Sequence, residues 1–164
     1  MVWKATICLA LLLAGVAARA DEAPKRAVAL KLSAFKDGFR LCSRKGPQNV
    51  TAYWELDPVE VARIDRALMK HIARSGLKGR LSLAADGYVR QFLGLVRDGR
   101  RIVYINAFGA RGGEDEAKAR SEFAVWCDGG SLFWGIEYDA QTKSFLNFAA
   151  NSTFRGDPLE KLRL

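Results

Sequence analysis

Histidine is almost missing from this chain: His71 is the only one among 164 residues. A metal site built on imidazoles needs several ligands, and a catalytic imidazole needs partners that orient it. A Cys–His nucleophile pair with Cys42 or Cys127 is formally open, but nothing else supports it. No catalytic residue, metal site or cofactor is therefore expected. Cysteine is scarce as well, with three in all. There is no nucleophile elbow, zinc-ligand spacing, phosphate loop or dinucleotide fingerprint. Ser131 follows Gly130, but no glycine stands two residues later. Internal repeats and low-complexity segments are also lacking. The apolar run from Ala5 to Val16 is too short to span a bilayer comfortably, because such a helix needs about 20 residues.

That run has a different use. Lys4 precedes it, Ala18-Arg19-Ala20 follows with small residues at the right spacing, and Asp21-Glu22 comes next. The layout predicts a secretory signal peptide over residues 1–20, cleaved after Ala20. Cys8 lies well before the cleavage point and does not suit lipid attachment. The expectation is a periplasmic or secreted protein, residues 21–164, forming one domain with one core. The formal charge is +8, and losing Lys4 and Arg19 with the leader lowers it by two. The basic residues are spread along the chain. Such an excess suits anionic lipid, polysaccharide or cell-wall surfaces, or simply solubility; nucleic acid is not expected in this compartment. Cys42 and Cys127 remain as an even pair where disulfides form. A bridge would close a loop of about 85 residues, worth roughly 4 kcal/mol in the chain-entropy model. Two separate buried thiols are the alternative.

Along the chain, Val28, Leu30 and Leu32 alternate with Ala29 and Lys31, which hints at a strand, although the same stretch also tolerates a helix. Lys45-Gly46-Pro47-Gln48-Asn49 reads as a loop. Residues 50–56 are extended in character and run into a strong helix signal. Asp57 is the N-cap candidate, Pro58 fits the first helical position, and Glu60 completes a capping-box spacing. Val61, Ile64, Leu68 and Ile72 recur on one face, and Ser75-Gly76 ends the helix. Tyr88 to Val96 and Arg101 to Phe108 flank Asp98-Gly99, a hairpin signal because the turn needs positive φ. Residues 109–120 read as a polar loop. Glu114-Asp115-Glu116 invites a calcium reading, yet the ligand spacing is absent and a solvated loop is expected.

Glu122 to Cys127 reads as a further strand, followed by the turn Asp128-Gly129-Gly130 and a strand from Ser131 to Tyr138. Leu132, Trp134, Ile136 and Tyr138 share one face of it; Phe133, Gly135 and Glu137 share the other. Asp139 to Lys143 turns the chain, and Ser144 to Phe148 makes a last strand. The tail holds Asp157-Pro158, a possible start of a helical turn. The expected fold is α+β, with one main helix packed against a curled antiparallel sheet of four to five strands.

Trp54, Trp126, Trp134, Tyr88, Tyr104 and Tyr138 all lie on or beside the expected strands. Core packing explains most of them. Aromatics on an exposed sheet face would instead make a binding surface. Trp134 is ambiguous, sharing a face with Leu132 and Ile136 yet lying close to the glycine turn. Arg90 and Gln91 sit on opposite faces of one strand, so at least one polar group points inward or onto a used surface. The candidate binding surface is the Cys127–Asp139 hairpin: Asp128, Gly129, Gly130, Trp134, Tyr138 and Asp139, with Arg90.

Tyr88-Val89-Arg90-Gln91-Phe92, Tyr104-Ile105-Asn106-Ala107-Phe108 and Trp126-Cys127-Asp128-Gly129-Gly130, with Phe133-Trp134-Gly135, make a recognisable set. Over roughly residues 50–150 the chain resembles small exported bacterial proteins with a cystatin-like helix-plus-sheet fold. That resemblance implies no particular activity. The cysteine followed by Asp-Gly-Gly is also similar to a phrase in periplasmic inhibitors of animal-type lysozyme, although the helix departs from their all-strand pattern. The sequence therefore leads to a non-enzymatic envelope protein that binds a protein or a cell-wall polymer. The alternatives are a small hydrolase using carboxylates among Glu55, Asp128, Glu137 and Asp139, a periplasmic lysozyme inhibitor, and a structural envelope protein with no ligand.

Overall fold

The computed structural model describes residues 26–35, 39, 41, 43–109 and 117–151. The leader, Cys42, the Glu114–Glu116 run and the tail beyond Asn151 lie outside these residues. The elements are β1 (Ala27–Ala29), β2 (Ala52–Trp54), α1 (Pro58–Arg74), β3 (Tyr88–Arg97), β4 (Arg100–Gly109), β5 (Phe133–Asp139) and β6 (Ser144–Ala150), with short 3-10 turns between them.

The helix forms where capping and periodicity agree. The Asp57 carboxylate accepts a hydrogen bond from the Glu60 N–H at 2.7 Å, and Pro58 occupies a position whose missing N–H has no helical partner anyway. Gly76 takes a φ of +74° after the last turn, the left-handed exit that glycine tolerates. Val61, Ile64, Leu68 and Ile72 are buried as their spacing predicts. The Asp-Gly hairpin also forms as expected. Asp98 and Gly99 adopt φ of +51° and +71°, the two-residue turn whose twist matches its strands. β3 and β4 pair in unbroken register from Tyr88 opposite Gly109 to Arg97 opposite Arg100.

The sheet has six strands and is mixed, not wholly antiparallel. β3, β4, β5 and β6 form an antiparallel meander. β1 runs parallel to residues 90–92 of β3, while β2 runs antiparallel to residues 94–96 of it. Two three-residue strands thus share one side of β3, which is why the count exceeds the expectation. The alternation near Val28 yields only β1, since Leu32–Ala34 closes into a 3-10 turn. The expected strand from Glu122 to Cys127 does not form; the segment carries no strand pairing.

Both faces of the sheet are covered. α1 packs on one, with Ile64, Leu68, Phe92, Ile105, Trp134 and Ile136 in the main core. On the other face, Leu30 and Phe35 cover Leu93, and Phe39, Leu41 and Phe123 cover Leu95, Ile102 and Tyr104. Ala119 closes over Val89 and Phe108.

One ion pair joins helix to sheet through the main core. Asp65 lies on the buried side of α1, and Arg90 reaches it from β3 at 2.6 and 3.2 Å. Both side chains are under 5% exposed. Arg90 also donates to the carbonyls of Ala85 and Tyr88. Asp65→Ala would leave a buried guanidinium uncompensated and should lower stability by about 3–5 kcal/mol. An Asp65→Leu/Arg90→Met double variant should recover most of that loss, because two apolar side chains need no partner. Urea unfolding of the three proteins checks both statements.

Candidate binding site

The segment from Ala119 to Asp128 is held by side-chain amides rather than by strand pairing. Gln91 donates from Nε2 to the carbonyls of Ala119 and Glu122, at 2.8 and 2.6 Å. Its Oε1 accepts from the Ala124 N–H at 2.9 Å and from Asn106 Nδ2 at 2.8 Å. Asn106 Nδ2 donates again to the Ala124 carbonyl. Asn151 Nδ2 donates to the carbonyls of Trp126 and Asp128, at 2.7 and 3.1 Å. Arg44 completes the network, donating to Oδ1 of both Asn106 and Asn151 and to the Tyr104 hydroxyl. Burial raises the Tyr104 pKa, against the opposing pull of Arg44, so the phenol stays neutral and can accept that bond.

This network fixes the backbone of Trp126 while its ring stays outside. Trp126 is 53% exposed, the largest exposed aromatic among the described residues. Its ring lies 5.3 Å from that of Phe133, tilted by 36°. A groove of roughly 480 Å³ opens beside it, walled by Phe108, Phe133, Asp128 and Gly129. A second recess of roughly 320 Å³ lies across Trp126, with Lys118, Glu122 and Val125 at its rim. Trp126 and Phe108 border both. Gly129 is required here twice over: its φ is +103°, and a Cβ would sit 2.4 Å from the Phe133 ring.

The residues predicted for the hairpin surface separate into two sets. Asp128 is exposed, and Gly129 and Gly130 turn the chain beneath it with positive φ. Trp134, Tyr138, Asp139 and Arg90 are all buried. Trp134 packs between Tyr88 and Phe148 on the helix side of the sheet, and its indole N–H is the one buried side-chain donor or acceptor without a partner among the described residues. Tyr138 meets Phe145 and receives a bond from Arg63. The exposed aromatic of this region is therefore Trp126, eight residues before the one singled out. The alternation Leu132-Trp134-Ile136 already carried the signal that Trp134 belongs to the core.

Two of the four candidate carboxylates are already committed to arginines. Glu137 is buried, held by Arg97 at 3.0 and 2.7 Å and by Asn147 at 2.8 Å. Asp139 is buried and paired with Arg100. Asp128 precedes β5, and Asp139 ends it, so the strand separates them by about 20 Å; paired glycosidase carboxylates lie within about 10 Å. Glu55 is exposed on the link between β2 and α1. His71 stacks on Phe145 at 4.8 Å, and burial lowers its pKa. No group of three metal-ligating side chains occurs among the described residues.

No protein-family model matches this chain, and no curated protein or solved structure matches it. The geometry defines an α+β scaffold that presents one fixed, half-exposed tryptophan above a groove.

Gly129→Ala must either move Phe133 or change its own φ, so it should cost about 1–3 kcal/mol and alter the emission of Trp126. A thermal melt with tryptophan fluorescence reads both effects. Asp139 supplies the pH dependence. Burial raises its pKa, but the N–H groups of Thr142 and Gln141 and the Arg100 charge outweigh that and hold it below the usual value. A carboxylate depressed in the folded state stabilises fully above its unfolded pKa, about 3.9, and loses that contribution as pH falls through the lower folded value. Asp139→Asn should therefore be less stable than the parent at pH 7, and the gap should close below about pH 4. Urea unfolding at pH 7, 4 and 3 tests this.

Proposed function

We propose that this protein is an exported, non-enzymatic binding protein of the cell envelope, whose protein or cell-wall partner docks beside Trp126. The carrying observation is a tryptophan that is 53% exposed although its backbone and its Phe133 neighbour are held in place. A rigid exposed aromatic loses little entropy on binding and offers a large contact area. Asp128 at the groove rim adds a directed polar group. Export is supported by the layout of residues 1–20. We include in the proposal a Cys42–Cys127 disulfide, which would tie the groove wall to the N-terminal part of the chain; Cys127 is not a free thiol. The hydrolase alternative loses support, because Glu137 and Asp139 are each committed to an arginine.

The test is capture of a partner by tagged protein, from envelope extract and separately from purified sacculi, with Trp126→Ala beside it. The parent should retain a specific partner, and the variant should lose it by about 30-fold, as expected for an interface tryptophan, with an unchanged melting temperature. Equal retention by both proteins would remove the groove from the proposal. N-terminal sequencing of the exported form should begin at Asp21; a retained Met1 would overturn processing. Intact mass before and after reduction and alkylation reads the bridge.

A further inference from the structure

Basic residues that are scattered in the sequence are gathered by the fold. Val59, Arg63, Arg66, Lys70 and Arg74 are all exposed on α1. At 100° per residue they fall within an arc of about 80°. Val61, Ile64, Leu68 and Ile72 occupy the opposite, buried side, so packing on the sheet turns the basic row outward. Lys78 and Arg80 are exposed in the short turn that follows the helix. Between residues 61 and 84 the sequence holds six Lys and Arg and a single carboxylate, Asp65. That carboxylate is buried against Arg90 and offsets nothing at the surface. Glu60 stands at one end, 3.5 Å from Arg63. Arg80 rests over the Phe148 ring at 5.4 Å, which steers its stem while leaving the residue exposed.

The form of this face favours a plane over a chain. Neither groove beside Trp126 includes any of its residues, and the row stands on the outer side of a helix. From Arg63 to Arg74 it extends about 16 Å along the axis. A flat anionic surface meets several cations of such a row at once, whereas a single polymer strand is gripped best in a cleft. Val59, 77% exposed at one end of the row, adds an apolar contact that suits lipid. Arginine forks suit phosphate oxygens in particular.

We propose that the outer face of α1 and the following turn dock on an anionic phospholipid surface. The site is separate from the groove, since α1 covers one face of the sheet and the Trp126 segment covers the other. Docking through the helix would leave the groove facing away from the lipid and free to bind.

The experiment is vesicle flotation of the protein as purified from its export compartment. Vesicles of phosphatidylcholine are compared with vesicles containing about one-third phosphatidylglycerol. The protein should float with the anionic vesicles only, and 0.5 M salt should release it, because the Debye length there falls to a few ångström. Lys70→Glu/Arg74→Glu/Lys78→Glu should lower partitioning by about a hundredfold, at roughly fivefold per cation removed from the interface. Lys31→Glu/Lys45→Glu/Arg120→Glu changes net charge equally and should lower it by less than about fivefold. Circular dichroism confirms that both variants are folded. Equal loss in the two variants would mean that net charge alone acts and would overturn the site. Equal flotation with neutral vesicles, or retention by a soluble polyphosphate column without any flotation, would overturn it as well. None of these results depends on Trp126, so failure here leaves the groove proposal standing.

Discussion

The site depends on one side chain whose hydrogen-bonding capacity is completely used. The Gln91 amide has two donors and an acceptor with two lone pairs, and all four bonds are made inside the protein. Three of them go to the backbone of residues 119–124. Buried peptide groups need partners, and these residues have no sheet edge to supply them. β3 is already flanked by β4 on one side and by β1 and β2 on the other. The amides of Gln91, Asn106 and Asn151 replace the missing strand. They leave the segment irregular and nevertheless fixed. An irregular, fixed segment is what allows the Trp126 ring to project outward.

The same logic governs the charges inside the fold. Arg90 and Asp65 are joined within the main core, and Arg97 with Glu137 and Arg100 with Asp139 lie at the turn end of the sheet. Each carboxylate is matched to one arginine from another element, Arg97 reaching Glu137 across β4. Such pairs add little net stability compared with apolar substitutes, but breaking one is expensive. Their effect is to fix register: Arg90 can reach Asp65 only when α1 sits at one rotation and one depth on the sheet. Those carboxylates are spent on architecture. Glu137 and Asp139 are therefore not free to act as an acid–base pair.

How much of this was legible in the sequence follows from the range of the interactions. The helix from Asp57 to Gly76 rests on contacts within four residues, and the β3–β4 hairpin rests on an Asp-Gly turn; both were readable. The alternating faces of β4 and β5 were readable too, because a pleat imposes period two. Glu122 to Cys127 was misread. Phe123-Ala124-Val125-Trp126 has strand composition, but strand formation needs a free edge, and the edges are assigned by residues far away in sequence. Both aromatic assignments in this region turned on the same point. Trp134 follows the pleat into the core, whereas Trp126 obeys no pleat. Gln91, on an expected strand, offered a usable signal, since an amide placed at a core position must have partners; Asn151, beyond the last expected strand, offered none. What the Gln91 amide bonds to is settled only by tertiary structure.

The arrangement of layers has a mechanical consequence. The sheet is a rigid middle layer, with ten-residue β3 and β4 paired over their whole length. α1 is fixed to one face by its apolar side and by Asp65; residues 119–128 are fixed to the other by amides. Movement between the basic helix face and the tryptophan groove would have to break one of these attachments or bend the central hairpin. Each alternative exposes buried polar groups or core side chains, at a cost well above thermal energy. The two surfaces are therefore held at a constant mutual orientation. Were both proposed surfaces occupied, their two partners would be held at a set distance across the sheet.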